Sequence, residues 1–219
     1  MKHFAVIPVK HHSERVENKN FRPFFEGRSL LELKIEQLRK SGVYSDIFIS
    51  SDSALAEECA ALHGVQHLAR PKLFCESGTP WSQVIVEVVS KLPVQDEDAV
   101  SWCHVTSPLF WDFERAARTF DSLGPDYNGL FAVARLNRFL LNSKFRPLNY
   151  QWGHWHPYSQ DLEPFYFVTG GLFMARKRDF LDARYVITSR PFAFEVSEKE
   201  SVDVDTELDF KIAGWLAQE

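Results

Sequence analysis

Short apolar runs separated by helix-length stretches of mixed character recur along the chain. Phe4-Ala5-Val6-Ile7-Pro8-Val9 is rich in β-branched residues and ends at a polar stretch from Lys10 to Asn20, the pattern of a buried first strand followed by a loop. Ser29-Leu30-Leu31-Glu32-Leu33-Lys34-Ile35-Glu36-Gln37-Leu38 places apolar residues at helical spacing; Ser29 can cap the helix with Glu32 three residues on, and Gly42 stops it. Ile47-Phe48-Ile49 predicts a second strand ending in Ser50-Ser51-Asp52-Ser53, followed by a helix from about Ala54 to Leu62 that Gly64 closes. Another helix fits Ser82 to Lys91. Val100 to Val105 reads as a central strand closed by Thr106-Ser107-Pro108, and Asp112 to Leu123 as the helix after it. This alternation predicts an α/β fold: a mostly parallel sheet with helices on both faces, in a single domain over 1–219. Ligands of such sheets sit beyond the carboxyl ends of the strands, which directs attention to the loops after Pro8, Ile49 and Val105.

From about 135 to 166 the rhythm breaks. Phe139, Phe145, Tyr150, Trp152, Trp155, Tyr158, Phe165 and Tyr166 crowd a segment that also holds Pro147, Pro157 and Pro164. An aromatic, proline-rich excursion of this length is a local mini-core, a lid over an acceptor site or a dimer contact. Phe167 to Met174 then resumes a strand, interrupted by Gly170-Gly171, and after Ser201-Val202-Asp203-Val204-Asp205-Thr206 a final helix starts at about Glu207.

Composition narrows the function. With 25 Lys plus Arg against 30 Asp plus Glu, the net charge is −5, and there is no broad basic field for nucleic acid or an anionic membrane. Small polyanions stay open if cations gather locally. The first apolar run is too short for a signal-peptide core or a membrane span. Cys59, Cys75 and Cys103 have neither a disulfide framework nor CxxC spacing, which fits reduced thiols in a cytoplasmic protein.

Two places carry candidate chemistry. The stretch Lys10 to Arg22 gathers Lys10, Arg15, Lys19 and Arg22 against two carboxylates, which suits either a triphosphate or a merely solvated loop. In Asp203-Val204-Asp205, residues two apart in a strand point the same way, so both carboxylates could share a hard cation while Val202 and Val204 face an apolar side. The alternative is a polar strand end with Asp205 or Thr206 as a helix cap. The pairs His11-His12 and His154-x-His156 lack the helical spacing or cysteine partners of a zinc site.

Taken together these pieces resemble a family. Ile7-Pro8-Val9-Lys10-x-x-Ser13-x-Arg15-Val16-x-x-Lys19-Asn20 resembles the nucleotide-binding opening of the acylneuraminate and ketodeoxyoctulosonate cytidylyltransferases. Ile49-Ser50-Ser51-Asp52-Ser53, Ala69-Arg70-Pro71, Thr106-Ser107-Pro108-Leu109, Ser159-Gln160, Thr169-Gly170 and the closing Ser201-Val202-Asp203-Val204-Asp205-Thr206-Glu207-x-Asp209-Phe210 follow in the family's order. The resemblance implies a Rossmann-like, GT-A-like nucleotidyltransferase fold. It also implies transfer of CMP from CTP to an acidic keto-sugar, with Mg²⁺ as cofactor and a homodimer as the assembly.

Residue by residue, the resemblance implies nucleotide contacts from Pro8, Val9, Lys10, His11, Arg15, Lys19, Asn20, Arg70, His104 and Thr106. Asp203 and Asp205 stand at the metal pair. Gln160, Thr169 and Gly170 stand at the acceptor sugar, and Lys10, Lys19 and Asp205 carry catalysis. The departures are chemical. Lys10 replaces an arginine and loses its planar fork. His11 and His12 replace small glycines, Glu14 a lysine, His104 a glutamine, Phe110 an arginine and Thr169 an asparagine. These leave open another base, a sugar-phosphate or phosphonate acceptor, or a nucleotide binder without chemistry.

Overall fold

The computed structural model describes residues 1–11, 13 and 15–218; His12 and Glu14 lie outside the described residues. In chain order the strands are β1 (His3–Pro8), β2 (Pro23–Phe25), β3 (Arg28–Ser29), β4 (Asp46–Ser51), β5 (Gln66–Ala69), β6 (Ala99–Trp102), β7 (Gly129–Leu136), β8 (Phe165–Arg176) and β9 (Pro191–Val196). The helices are α1 (Leu30–Lys40), α2 (Ala54–His63), α3 (Trp81–Ser90), α4 (Phe113–Ser122), α5 (Lys177–Ala183) and α6 (Glu207–Leu216).

Alternation along the central strands divides the interior in two. Ala5 and Ile7 of β1 join one core, and Val6 between them joins the other; in β6, Ala99 goes to the first and Val100 and Trp102 to the second. A strand buried on both faces needs helices on both. The first core is covered by α1, α2, α4 and α6, and the second by α3 and α5. At roughly 25 cal/mol per Å² of apolar surface, this double burial is the main source of stability.

Seven strands form one sheet in the order β5-β4-β1-β6-β8-β7-β9. All run in one direction except β8, which is antiparallel to both β6 and β7. The reason lies in the connection: β7 passes to β8 through the aromatic excursion, without the crossover helix that a parallel neighbour requires. That excursion occupies 137–164, between Leu136 and Phe165, which are paired across the two strands. β2 and β3 form a separate small hairpin.

The local signals at the ends of the first two helices behave as their chemistry dictates. Ser29 and Glu32 form a reciprocal capping box at α1. Gly64 ends α2 in the left-handed region at φ +56°, where a side chain would be strained. Some boundaries differ from the sequence expectation. The strand expected to reach Val105 ends at Trp102, because Ser107 N–H donates to the His104 carbonyl and closes a turn. The strand begun at Phe167 instead extends from Phe165 to Arg176. β5, β9, α5 and the β2–β3 hairpin were not expected.

Asp203-Val204-Asp205 is not part of a strand; it is an extended connection into α6. One backbone bond, Val204 N–H to the Thr106 carbonyl at 2.7 Å, ties it to the loop after β6. The expected apolar side is present, with Val204 fully buried and Val202 packed against the first core. The cap belongs to Thr206, in a second capping box with Asp209, so Asp203 and Asp205 are left for other work. Among the described residues no helix is long and apolar enough to cross a membrane.

Candidate active site

The registers of β1 with β4 (Pro8 opposite Ser50) and with β6 (Val6 opposite Trp102) bring the carboxyl ends of three parallel strands to one edge. A cleft of about 580 Å³ opens there. Pro8, Lys10, Arg15, Lys19, Asn20, Arg70, His104, Thr106 and Asp205, all singled out in the sequence, line it.

Residues 185 positions or more apart meet across this cleft. Lys19, almost buried, donates from Nζ to the Val204 carbonyl at 2.6 Å and lies 4.0 Å from Asp205 Oδ1. Arg15 Nη2 donates to the same Asp205 oxygen at 2.7 Å. Desolvation lowers the Lys19 ammonium below its ordinary value, and the Asp205 and Asp203 carboxylates oppose that shift. The Asp203 carboxyl is raised, first by desolvation; the Asp205 charge adds to the rise, while a Thr106 hydrogen bond and Lys19 resist it.

Val9, Arg70 and Asn20 brace the loops that frame the cleft. Val9 is buried, and its carbonyl accepts from Arg70 Nη2 at 2.6 Å. Arg70 Nε in turn donates to Cys75 Sγ at 3.0 Å, so this buried guanidinium braces two loops while presenting part of itself to the cleft. Asn20 Nδ2 donates to the Lys10 carbonyl at 3.1 Å and ties down the loop after β1. His11 lies outside the cleft lining: its Nδ1 is 2.8 Å from Ser53 Oγ, and its N–H donates to Asp52 Oδ1 at 3.3 Å.

The expected acceptor residues divide. Thr169 is buried, and its hydroxyl donates to the Ala132 carbonyl at 3.4 Å. Gly170 faces His104, Ser107 and Asp203. Gln160 sits exposed in a short 3-10 turn of the excursion, away from the cleft lining. Of the three loops the sequence pointed to, those after β1 and β6 line the cleft and the one after β4 does not. Its place is taken by the connection from β5 to α3, which supplies Phe74, Glu76, Ser77 and Thr79, and by Trp81 at the start of α3. That segment has no periodicity, and Trp81 passes for the first apolar residue of a helix; only its position after a sheet strand, flanked by Pro71 and Pro80, marked it.

His104 is the most constrained polar group at the site. The Trp102 indole N–H donates to its Nε2 at 3.0 Å. Trp81 meets both rings of the pair edge-on, and Phe173 meets the His104 ring. Burial, with Lys34 and Lys19 adding to it, pushes the imidazole down to about 4, so it is neutral at physiological pH.

Comparison with known proteins follows this geometry. A sequence model of the cytidylyltransferase family matches residues 4–121, more than half of the chain. The N-acylneuraminate cytidylyltransferase of Streptococcus agalactiae serotype III (strain NEM316) is 27% identical over 225 residues, covering 96% of this chain and 52% of that protein. The chain thus spans about half the length of the streptococcal relatives it matches. The pseudaminic acid cytidylyltransferase of Campylobacter jejuni subsp. jejuni serotype O:2 (strain ATCC 700819 / NCTC 11168) is 24% identical over 226 residues, covering 99% of this chain and 96% of that one. Among solved structures, a CMP:2-keto-3-deoxy-manno-octonic acid synthetase complexed with CTP superposes with a TM-score of 0.70 at 15% identity, covering 100% of this chain and 99% of the other. That likeness concerns the fold. The family match covers the first strand, the loop after it and the loop after β6; on that ground the chain belongs to the cytidylyltransferase family.

Proposed function

We propose that the protein transfers CMP from CTP to a hydroxyl of an acidic keto-sugar, of the nonulosonic acid or ketodeoxyoctulosonate type, with release of pyrophosphate. The observation that carries this reading is the meeting of Lys19 and Arg15 with Val204 and Asp205 across one cleft. A new O–P bond forms at the α-phosphorus as the bond to the pyrophosphate oxygen breaks, and the hydroxyl proton passes to solvent. Lys10, Arg15 and Lys19 neutralise the triphosphate oxygens, and Lys10 and Lys19 stabilise the charge that builds on the leaving group. Arg70 and Asn20 hold the loops that shape the nucleotide pocket. Catalysis of this kind is mainly positioning and electrostatics.

Asp203 and Asp205 suit a hard divalent cation. Both offer oxygen, and the Asp203 carboxyl, raised by desolvation and by Asp205 against the pull of Thr106 and Lys19, is the kind of ligand an added divalent charge stabilises. These two residues would hold Mg²⁺, which when bound polarises the α-phosphate. The reading includes a cytoplasmic setting, where nucleoside triphosphates are supplied.

The test is pyrophosphate release in Mg²⁺ buffer from each of the four ribonucleoside triphosphates with N-acylneuraminate, pseudaminic acid and 2-keto-3-deoxy-manno-octonic acid. Release is expected with CTP and one of these acids. Release only with another base or with a sugar phosphate would move the assignment to a different transferase, and none with any acceptor would remove it.

We also infer a homodimer formed through the excursion. Phe145, Trp155 and Tyr158 are each at least 75% exposed, and Tyr166, Phe167 and Val168 of β8 extend the apolar surface onto the sheet. A patch of this kind calls for a covering partner, and a second copy offers the same aromatic face. Sedimentation should give twice the chain mass for the wild type and the single mass after Trp152→Ser with Trp155→Ser. A monomeric wild type at micromolar concentration would exclude this.

A further inference from the structure

A second hollow, of about 420 Å³, lies at the edge of the sheet opposite the cleft. It follows from the reversal of β8. Arg176, the last residue of that strand, pairs with Ala99, the first of β6, so it emerges where the parallel strands begin. Gly129 of β7 and Pro191 of β9 start there side by side. The residues before them lock this edge: Asn128 N–H donates to the Arg190 carbonyl and Arg190 N–H to Asn128 Oδ1, both at 2.9 Å. Arg176, Arg178 and Arg190 thereby line one concavity, with Phe120, Leu123 and Tyr127 as its apolar wall.

Arginines at a surface are ordinarily solvated, so their partners decide what these can do. Arg178 is paired with Glu97. Arg176 lies 3.7 Å from Glu97 and 3.9 Å from Asp179, too far for a hydrogen bond to either. Among the described residues, neither an ion pair nor a hydrogen bond engages the Arg190 guanidinium. Asp179 is the acidic residue of the lining. Its Oδ2 is shut off from solvent and its Oδ1 lies 3.5 Å from Asn128 Nδ2, so it braces the wall from behind. Even with Glu97 counted, three guanidiniums stand against two carboxylates, and the hollow is positive in a chain of net charge −5. A guanidinium with unused N–H groups is matched by an oxyanion that accepts two of them at once. Beside these donors Tyr127 is 43% exposed, its ring held edge-on against Phe192 at 5.4 Å. A fixed aromatic ring of this kind stacks with any nucleobase. The volume suits a small organic anion.

We propose that this hollow binds a phosphate monoester carried on a flat ring, of the nucleoside monophosphate class, with the phosphate on Arg176 and Arg190 and the base against Tyr127. The site is separate from the cleft and holds whichever acceptor the cleft uses.

The experiment titrates AMP, CMP, ribose 5-phosphate and inorganic phosphate into the ¹⁵N-labelled full chain and reads the amide signals of Asn128 and Arg190. AMP and CMP should move both signals with similar midpoints. Ribose 5-phosphate, which lacks the base, should bind about tenfold more weakly, and inorganic phosphate more weakly still. Arg190→Gln keeps the backbone bonds to Asn128 and should weaken all four about tenfold, read at Asn128. Tyr127→Ala should weaken AMP and CMP about tenfold and leave the other two unchanged. Lys10→Ala, which alters the cleft, should change none of the midpoints. If Tyr127→Ala does not melt cooperatively, the wild-type ratio of AMP to ribose 5-phosphate affinity decides the part of the ring. Signals that stay still with AMP and CMP at millimolar concentration would overturn the site. So would equal midpoints for AMP and inorganic phosphate (an adventitious ion only), midpoints that Arg190→Gln leaves alone, or a loss that follows Lys10→Ala instead. None of these outcomes depends on turnover, so the transferase reading stands or falls separately.

Discussion

Asp205→Asn is expected to lower turnover by about three orders of magnitude while leaving a folded protein. Asparagine keeps the shape and one oxygen but loses the charge that both Arg15 and Lys19 face. The ion pair with Arg15 is largely exposed on both sides and contributes at most about 1 kcal/mol, so the melting temperature should fall by only a few degrees. The buried Lys19 keeps its bond to the Val204 carbonyl, which the substitution does not touch. CTP should still bind, more weakly, because Lys10, Arg15 and Lys19 remain in the cleft. Steady-state pyrophosphate release and thermal melting on the same preparation decide the matter. Activity within tenfold of the wild type would remove Asp205 from the catalytic centre, and a protein that no longer melts cooperatively would make its role structural.

How much of this site could be read from the chain follows from the range of the interactions involved. The Ser29–Glu32 capping box and the stop at Gly64 are set by residues within one helical turn, and the sequence displays them directly. Short, nearly continuous apolar runs marked β1 and β6 as buried strands. In β9 the run Phe192-Ala193-Phe194-Glu195-Val196 is apolar but broken by Glu195. The reversed direction of β8 could not be read locally, since it follows from the missing helix between β7 and β8. The Lys10–Asn20 loop and the Asp203–Asp205 segment each admitted a plain solvated reading. Only the sheet order, with β1 beside β6 and the Val204–Thr106 bond, brings one to the other. The Phe74–Trp81 wall was missed, although Arg70 before it was not, because a loop that lines a cleft is defined by what faces it, and periodicity carries no trace of that. Trp102 looked like an ordinary core residue; that its indole N–H sets the proton on His104 depends on a contact two residues away, across a change from strand to turn.

The second large effect is on stability and its pH dependence, and it comes from Lys34. Its position in α1 reads as a gap in an apolar face, yet its side chain is fully buried. Nζ donates to the Ser107 carbonyl at 2.9 Å and lies 5.2 Å from the centre of the Phe113 ring, and Gln37 one turn on donates to the Pro108 carbonyl at 2.5 Å. Together they pin the turn that carries His104 and Thr106. No carboxylate pairs with Lys34 among the described residues, and burial pushes its ammonium down to about 8. In the unfolded chain a lysine holds its proton to about 10.4. Between these values the unfolded state binds more protons than the native one, so stability rises with pH; below 8 the full cost of the buried charge is present. The buried thiol of Cys103, pushed up to about 12, and the half-buried thiol of Cys59, pushed up to about 11, act in the opposite sense above about 9, because the native state then holds the extra protons. Comparison with Lys34→Met cancels the cysteines. From pH 7.5 to 10 the unfolding free energy of the wild type should gain about 2 kcal/mol on that variant. Urea titrations at five pH values measure it. A difference that stays flat, or one that shrinks toward high pH, would mean that Lys34 is not buried as a charge, and the turn after β6 would need another anchor.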